Sequence, residues 1–279
     1  MGILNVTPDS FSDGGEWMDV NAVLRRAEAM IREGADILDV GGESTRPGAR
    51  LVPEGEELDR VLPVVEALAS RFATPISVDT RKAEVARAAL DAGASIVNDV
   101  SALAFDPAMA EVVARSGAGV VLMHMRGTPP DMRERARYVN LESEVAVELA
   151  ASVARARASG IDPAAIVVDP GFGFAKDEDQ SLRLLANLAS LVGLGFPVLV
   201  GPSRKSFLGE LLDVPPAGRV AGTVAACLLS WLQGAAIFRV HDVAPVAQAL
   251  RVGHAVLERQ HVPPLRLFAE GREEVATSP

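Results

Sequence analysis

Eight short apolar segments alternate with segments of helical periodicity along almost the whole chain. The apolar segments are rich in Val, Ile and Leu and run through residues 2–6, 36–40, 76–78, 95–100, 119–123, 166–169, 198–200 and 237–240. Because they are continuously apolar rather than alternating, we predict strands buried on both faces, as in parallel sheets. Eight such units in 279 residues predict an α/β fold, a (β/α)8 TIM barrel in a single domain.

Helices are predicted between these strands from apolar residues at helical spacing. They cover residues 20–33, 57–71, 82–92, 107–115, 141–159, 180–191, 219–233 and 243–257. An open doubly wound sheet is the alternative, but no G-x-G-x-x-G motif follows the first strand. We predict that the barrel spans residues 1–268 and that residues 269–279 form a polar C-terminal tail.

One uncharged window, residues 220–238, is long enough to cross a membrane. Small and polar residues interrupt it, and Gly234 is placed to end a helix, so we predict a helix and a separate buried strand instead. The first residues carry no signal-peptide pattern. The single cysteine, Cys227, lies in an apolar run, and we expect a buried thiol in a cytoplasmic protein without a membrane partner.

Hydrogen-bonding or ionisable residues follow every predicted strand. They stand at Asn5 and in residues 41–48, 79–81, 98–99, 124–127, 169–174, 201–206 and 239–242. Any one group is more simply interpreted as a helix cap or a turn. All eight together, at the rim where barrels of this kind hold their chemistry, favour an active site.

Three cationic side chains at this rim suggest an anion site. The chain has a net charge of -10, which argues against nucleic acid as a partner because nucleic acid rewards a positive surface. Any anion site must therefore be local. Arg46, Arg239 and His241, together with backbone N–H groups of the glycine-rich loops, suit a phosphate or pyrophosphate.

A second set at the rim suits a flat heterocycle. It consists of Asp79, Asn98, Asp169 and Lys205. Buried carboxylates can accept from the paired N–H donors of an amidine-like edge, and a lysine can donate to a ring carbonyl. A pterin has such an edge.

The histidines show no spacing typical of a zinc site. We expect any metal to be Mg²⁺, held by Asn5 and substrate phosphates, because Mg²⁺ keeps several waters and takes few protein ligands. No Ser/His/Asp or Cys/His nucleophile set stands out, which favours catalysis by positioning and electrostatics.

Eight motifs, in order along the chain, resemble those of the dihydropteroate synthase family of folate biosynthesis. They are GILNVTPDSFSDGG, GGESTRPG, SVDTRK, IVNDVSA, LMHMRG, VVDPGFGFAK, SRKSFLG and RVHDV. The resemblance implies a (β/α)8 barrel that joins para-aminobenzoate to 6-hydroxymethyl-7,8-dihydropterin pyrophosphate, releases pyrophosphate and is a target of sulfonamides. It also implies a homodimer.

The resemblance assigns roles to individual residues. The residues similar to the family's pterin site are Asp79, Asn98, Asp169 and Lys205; those similar to its pyrophosphate site are Arg46, Arg239 and His241. The residues similar to its para-aminobenzoate pocket are Thr45, Pro47, Phe174, Lys205 and Ser206. Asn5 resembles the family's Mg²⁺ ligand, and Phe11 and Asp13 resemble residues of a loop that in the family folds over the reacting complex. We expect Lys205, Asp79, Asp169 and Arg239 to be catalytic.

The mechanism that the resemblance implies is dissociative: pyrophosphate leaves, a pterin carbocation is stabilised by carboxylates, and the aniline nitrogen attacks. One departure is Ala175, which stands where the family often has glycine.

Two rival functions share this fold. A pterin-dependent methyltransferase would share the pterin carboxylates but would need neither a pyrophosphate site nor the STRPG and SRKS loops, which are present. A pterin-binding paralogue without catalysis would be expected to lose Asn5, Arg46, Lys205 or His241, and all four are retained.

Overall fold

Eight strands form the centre of the protein, in a computed structural model that describes residues 1–7, 19–44, 50–128 and 130–259. The strands are β1 (Gly2–Asn5), β2 (Leu38–Gly41), β3 (Ile76–Asp79), β4 (Ile96–Asp99), β5 (Gly119–Met123), β6 (Ile166–Asp169), β7 (Leu199–Val200) and β8 (Ile237–Phe238). All eight lie where the sequence predicts them. The predicted tail, residues 269–279, is outside the described residues, as are residues 260–268 of the predicted barrel.

Helices follow the strands and cover them. They are α1 (Val20–Glu33), α2 (Glu54–Arg71), α3 (Ala83–Asp91), α4 (Met109–Ser116), α5 (Leu141–Ala158), α6 (Glu178–Ala186), α7 (Ala189–Val192), α8 (Ser206–Leu212), α9 (Val220–Leu232) and α10 (Val243–Leu257). Short 3-10 helices span Pro163–Ala165 and Pro216–Arg219.

Two helical predictions were wrong in detail. The single helix predicted over residues 180–191 is two helices, α6 and α7, because Asn187 leaves the helical conformation with φ -117° and ψ 26°. Its side chain also donates to the Arg183 carbonyl, at 2.9 Å. The helix α8 was not predicted, because it has only 7 residues and begins at the last residue of the polar rim segment 201–206.

The eight strands close into a ring of parallel neighbours. Strands β1 to β6 pair in chain order, and β7 pairs with β8. Single parallel bridges, Val168 with Val198 and Gly2 with Val240, join these two groups at both seams. The fold is therefore the predicted (β/α)8 barrel.

Alternation along each strand divides the core into two parts. Leu4, Val40 and Val78 belong to the large apolar cluster that also contains buried helix residues. Val97, Val168 and Val240 belong to the same cluster. Because successive side chains of a strand point to opposite faces, the residues next to these six point into the barrel. Among those neighbours are Asn5, Asp39, Ser77, Asp79, Asn98, Asp169 and Arg239. The barrel interior is therefore polar towards the carboxyl ends of the strands, where a polar ligand can be held.

The uncharged window of the sequence is confirmed as a helix and a strand. Helix α9 ends at Leu232, Gly234 adopts a left-handed φ of 100°, and β8 follows. Within the described ranges, every helix is too short or too polar to cross a membrane. Cys227 is buried, and burial raises the pKa of its thiol to about 12, which makes it an inert core residue.

Candidate active site

A buried ion pair network joins three strands at the centre of the barrel. On the residue after β8, Arg239 donates through Nε to Asp39 Oδ2 and through Nη2 to Asp79 Oδ2, both at 2.6 Å. Asp39 is completely buried, and Asp79 is 7% exposed. Two carboxylates held by one guanidinium leave an excess of negative charge in the barrel.

Burial sets the protonation of this network. It raises the pKa of Asp79 to about 7; the Arg239 guanidinium opposes the shift, and the Asp39 carboxylate adds to it. Burial also disfavours the charged form of Arg239, but the carboxylates of Asp39 and Asp79 outweigh it and keep its pKa above the ordinary value. Asp79 therefore exchanges its proton near neutral pH, which is typical of functional carboxyl groups.

Asn98 lies beside this network. It is in register with Asp79 on the neighbouring strand and donates through Nδ2 to Asp39 Oδ2 at 3.3 Å. The other oxygen of Asp39 and the hydroxyl of Ser77 have no hydrogen-bond partner among the described residues. Asp39 was not singled out from the sequence, although a carboxylate inside the apolar strand DILDV is a signal that could have found it.

Asp169 ends β6 and faces the same space. Its Oδ1 accepts from the Gly171 N–H at 2.7 Å. Burial raises the pKa of Asp169 to about 6, although the Gly171 N–H and the Lys205 ammonium favour the carboxylate. This carboxylate therefore keeps its charge at neutral pH but is poorly solvated, and a ligand with paired N–H donors would satisfy it.

Lys205 and Phe174 pack side by side at the rim. Lys205 precedes α8, and its Nζ lies 4.1 Å from the centre of the Phe174 ring, within the range of a cation–π contact. Phe174 is largely buried, whereas Ser206, the first residue of α8, is exposed. The structure thus brings together Asp169, Phe174 and Lys205, which the sequence placed in two separate loops.

His241 is fixed by the loop after β7. The backbone N–H of His241 donates to Ser203 Oγ at 3.1 Å, and the same hydroxyl lies 3.0 Å from His241 Nδ1. The hydroxyl has one hydrogen and two lone pairs, so it can pair with Nδ1 in either tautomer of the ring. Arg26 on α1 donates to the His241 carbonyl at 2.8 Å. The orientation of this ring is therefore set by two other elements.

A second buried cluster, not predicted from the sequence, lies behind Asp169 and Phe174. Lys176 Nζ is 2.9 Å from His124 Nδ1, and His124 Nε2 is 2.9 Å from Glu148 Oε2. Burial and the Lys176 charge lower the pKa of His124 to about 3, so the ring is neutral, accepts from Lys176 and donates to Glu148. Burial lowers the pKa of Lys176 to about 7, although the Asp169 carboxylate opposes this. The motifs LMHMRG and GFGFAK contain His124 and Lys176 but do not reveal this contact.

Several predicted site residues cannot be placed. Thr45, Arg46 and Pro47 lie outside the described residues, as do Phe11 and Asp13. Asn5 is half-buried at the end of β1, in register with Gly41. In the ranges that the structure covers, no group of three or more His, Cys, Asp or Glu side chains could hold a metal ion.

Comparisons with known proteins assign the family. The family described as "Pterin binding enzyme" matches residues 1–241. Dihydropteroate synthase of Synechocystis is 49% identical over 92% of this chain and 89% of its own length. Dihydropteroate synthase of Escherichia coli K12 is 48% identical over 92% of this chain and 91% of its own length.

Solved structures give the same result. Dihydropteroate synthase of Xanthomonas albilineans with 4-aminobenzoic acid has a TM-score of 0.87 and 49% identity, covering 94% of this chain and 93% of that one. The Yersinia pestis enzyme in a sulfonamide complex has a TM-score of 0.87 and 46% identity, covering 92% and 93%. The family model matches residues 1–241, and these relatives and structures each cover more than nine-tenths of the chain. The chain therefore belongs to the dihydropteroate synthase family of pterin-binding enzymes, which are transferases.

Proposed function

We propose that this chain condenses 6-hydroxymethyl-7,8-dihydropterin pyrophosphate with para-aminobenzoate, giving 7,8-dihydropteroate and pyrophosphate in folate biosynthesis. One observation carries the proposal: two buried, poorly solvated carboxylates, Asp79 and Asp169, lie at the strand ends with the Asn98 amide and the Lys205 ammonium. The Xanthomonas albilineans enzyme, solved in complex with 7,8-dihydropteroate, is 46% identical to this chain and supports the same product.

The pterin is the ligand that this carboxylate set fits. The N–H donors along its pyrimidine edge would pair with Asp169 and with Asn98, and Lys205 would donate to an acceptor on the ring. Asp79, held by Arg239, provides negative charge near the position where the methylene carbon becomes electron-poor. Carboxylates already desolvated before the ligand arrives stabilise developing positive charge without reorganisation.

The pyrophosphate leaves toward cationic and N–H donors. We assign this role to Arg46, Arg239 and His241; an N–H of the His241 ring can donate to a phosphate oxygen. Asn5 fits Mg²⁺ because its amide oxygen is a hard ligand at the rim, and phosphate oxygens and waters would supply the other positions. When bound, Mg²⁺ neutralises charge on the leaving pyrophosphate.

The para-aminobenzoate pocket is assigned to the neighbouring rim. Phe174 and Lys205 form one wall, with Ser206 at the start of α8. Thr45 and Pro47 lie outside the described residues and are assigned to this pocket by their resemblance to the family. The Phe174 ring offers a flat apolar face for the benzene ring. The Yersinia pestis enzyme, solved in a sulfonamide complex, supports sulfonamide binding by this chain, and we assign that binding to the same pocket. Attack by the weakly basic aniline nitrogen after pyrophosphate departs completes the reaction.

We also propose a cytoplasmic homodimer. Exposed apolar side chains lie on the outer helices α9, with Leu229 and Leu232, and α10, with Val252 and Val256. These helices pack against each other on the outside of the barrel. Burying these side chains against a second copy would remove them from water. The buried single thiol agrees with a reducing compartment.

Pyrophosphate release from the dihydropterin substrate tests the function. The assay is run with and without para-aminobenzoate and with and without Mg²⁺. Stoichiometric dihydropteroate that requires both establishes the synthase and its metal. Tight pterin binding without condensation would instead establish a silent paralogue.

A further inference from the structure

Lys176 is among the most deeply buried cationic side chains of the described residues. It is 6% exposed, in the segment that links β6 to α6. Its Nζ lies 2.9 Å from the Phe174 carbonyl, 3.2 Å from the Gly171 carbonyl, 3.3 Å from the His124 carbonyl and 2.9 Å from His124 Nδ1. Four acceptors surround three possible N–H donors, so the ammonium is fully used by the protein itself.

The segment 171–175, whose carbonyls Lys176 binds, makes few backbone hydrogen bonds of its own. Gly171, Gly173 and Ala175 adopt left-handed φ angles of 67°, 75° and 49°. This alternation prevents helical or strand pairing, and one internal turn, Phe174 N–H to the Gly171 carbonyl, remains. The carbonyls of Gly171 and Phe174 therefore depend on Lys176 for their remaining hydrogen bonds.

The loop after β5 supports the same segment from behind. The hydroxyl of Tyr138 donates to the Ala175 carbonyl at 2.9 Å, and the guanidinium of Arg126 lies 4.0 Å from the centre of the Tyr138 ring. Arg126 in turn pairs with Glu148, the partner of His124. Lys176 and Tyr138 thus donate hydrogen bonds to the carbonyls of two successive residues, Phe174 and Ala175.

The consequence falls on the Phe174 ring. With its own carbonyl and the next one fixed, Phe174 has little freedom to turn, and its ring is held against Lys205 Nζ. We propose that Lys176 is a positioning residue for the acceptor substrate: by holding the Gly171 and Phe174 carbonyls, it sets the ring of Phe174 that forms the wall for an aromatic amine. This inference rests on the proposed function, since it assigns the acceptor to that wall.

Lys176→Met tests the inference, because methionine has nearly the same length and no N–H donor. The KM for para-aminobenzoate is expected to rise about tenfold or more, because several hydrogen bonds of the wall are lost together. The dissociation constant of the dihydropterin substrate, measured without the acceptor, should rise by a clearly smaller factor, because Asp79 and Asn98 do not contact this segment and Asp169 meets it only through the Gly171 N–H. Inhibition by a sulfonamide should weaken in parallel with the KM.

Tyr138→Phe is the second variant. It removes one hydroxyl that grips the same segment, and the KM for para-aminobenzoate should rise in the same direction by a few fold. If Lys176→Met does not fold, Tyr138→Phe tests the inference alone. A Tyr138→Phe enzyme whose KM for para-aminobenzoate equals that of the wild type overturns it.

Asp162→Ala is the matched control for a loss of stability. Asp162 caps the short helix Pro163–Ala165 that precedes β6, accepting from the Ala164 N–H at 2.8 Å at the opposite end of the strand. It should lower the melting temperature and leave both substrate constants unchanged. A Lys176→Met variant with that same pattern, or with equal increases for both substrates, overturns the positioning role. Failure of the wild type to condense its substrates would instead refute the proposed function, and the inference would fall with it.

Discussion

The ammonium of Lys205 lies 4.1 Å from the centre of the Phe174 ring. One residue precedes α8 and the other follows β6, so two separate loops meet at this contact. Lys205 also acts electrostatically on Asp169, in the direction that favours its carboxylate. A single side chain therefore borders both the proposed pterin site and the proposed acceptor site.

Replacing Lys205 should affect turnover more than binding alone explains. We expect Lys205→Ala to lower kcat/KM at least about 100-fold, because a preorganised charge at the reacting centre is lost. Steady-state kinetics with both substrates measure the effect. Arg157→Ala, at an exposed position of α5, is the control and should change kcat/KM by less than about twofold. A Lys205→Ala enzyme with the rate of that control would remove Lys205 from the site.

Asp169→Asn should trade activity for stability, with a defined pH dependence. The pKa of Asp169 is about 6 in the folded chain against 3.8 as the ordinary value. The folded state therefore binds its proton more tightly, and this group makes stability fall as the pH rises from about 4 to 6. The asparagine variant has no carboxylate to bury, so its free energy of unfolding at pH 8 should exceed that of the wild type by up to about 3 kcal/mol.

The same variant should lose most of its turnover, because the carboxylate that faces the pterin is gone. Urea denaturation at pH 3.5 and pH 8 measures the stability difference, which should vanish at the lower pH. A loss of stability at pH 8 would contradict the burial argument for Asp169.

Removing the Arg239 guanidinium should destabilise the protein, because the buried carboxylates of Asp39 and Asp79 lose their counter-ion. Arg239→Met leaves the carboxylates of Asp39 and Asp79 without their cation, and we expect the free energy of unfolding to fall by about 3–5 kcal/mol. Adding Asp39→Asn to that variant removes one unpaired charge and should restore part of the loss. Chemical denaturation of the single and double variants measures the coupling. Simple additivity of the two substitutions would show that Arg239 does not compensate Asp39.

Substitutions at Gly171 and Gly195 distinguish the cost of a left-handed backbone from the cost of a steric clash, because both have a positive φ but only Gly171 lacks room for a Cβ. Gly171 has a φ of 67°, and a Cβ there would lie 2.2 Å from the His124 carbonyl oxygen. Gly195 has a φ of 81° with no atom within 4 Å of the added carbon. Gly195→Ala should cost about 1–2 kcal/mol, the penalty of a left-handed alanine. Gly171→Ala should cost clearly more and raise the KM for para-aminobenzoate; equal costs would show that the segment can move.

Asn5→Ala tests the metal ligand. If Asn5 holds Mg²⁺ with the substrate phosphates, the Mg²⁺ concentration that gives half-maximal rate should rise about tenfold or more. The melting temperature without substrate should change little, since the amide is half-buried at the rim. A rate that falls equally at all Mg²⁺ concentrations would assign Asn5 to the substrate rather than to the metal.

The sequence predicts the barrel well because strand and helix patterns are local. It also predicts which residues stand at the strand ends, since each follows a recognisable apolar run. It does not predict what those residues contact: Arg239 pairs with Asp39 and Asp79, which are 200 and 160 residues away. The contacts of Lys176 with its own loop were missed for the same reason: Gly171 and Gly173 permit a left-handed backbone, but the sequence does not show which carbonyls that backbone turns toward the ammonium.

The two seams of the barrel have a consequence for synthesis of the chain. Ile3 donates to the Val240 carbonyl, so the first strand finds its last neighbour only when nearly all of the barrel has left the ribosome. Until then, the carboxylates of Asp39 and Asp79 lack the Arg239 guanidinium and remain hydrated in an open sheet. Charge burial and ring closure therefore occur together, and the last quarter of the chain completes the folding of the first.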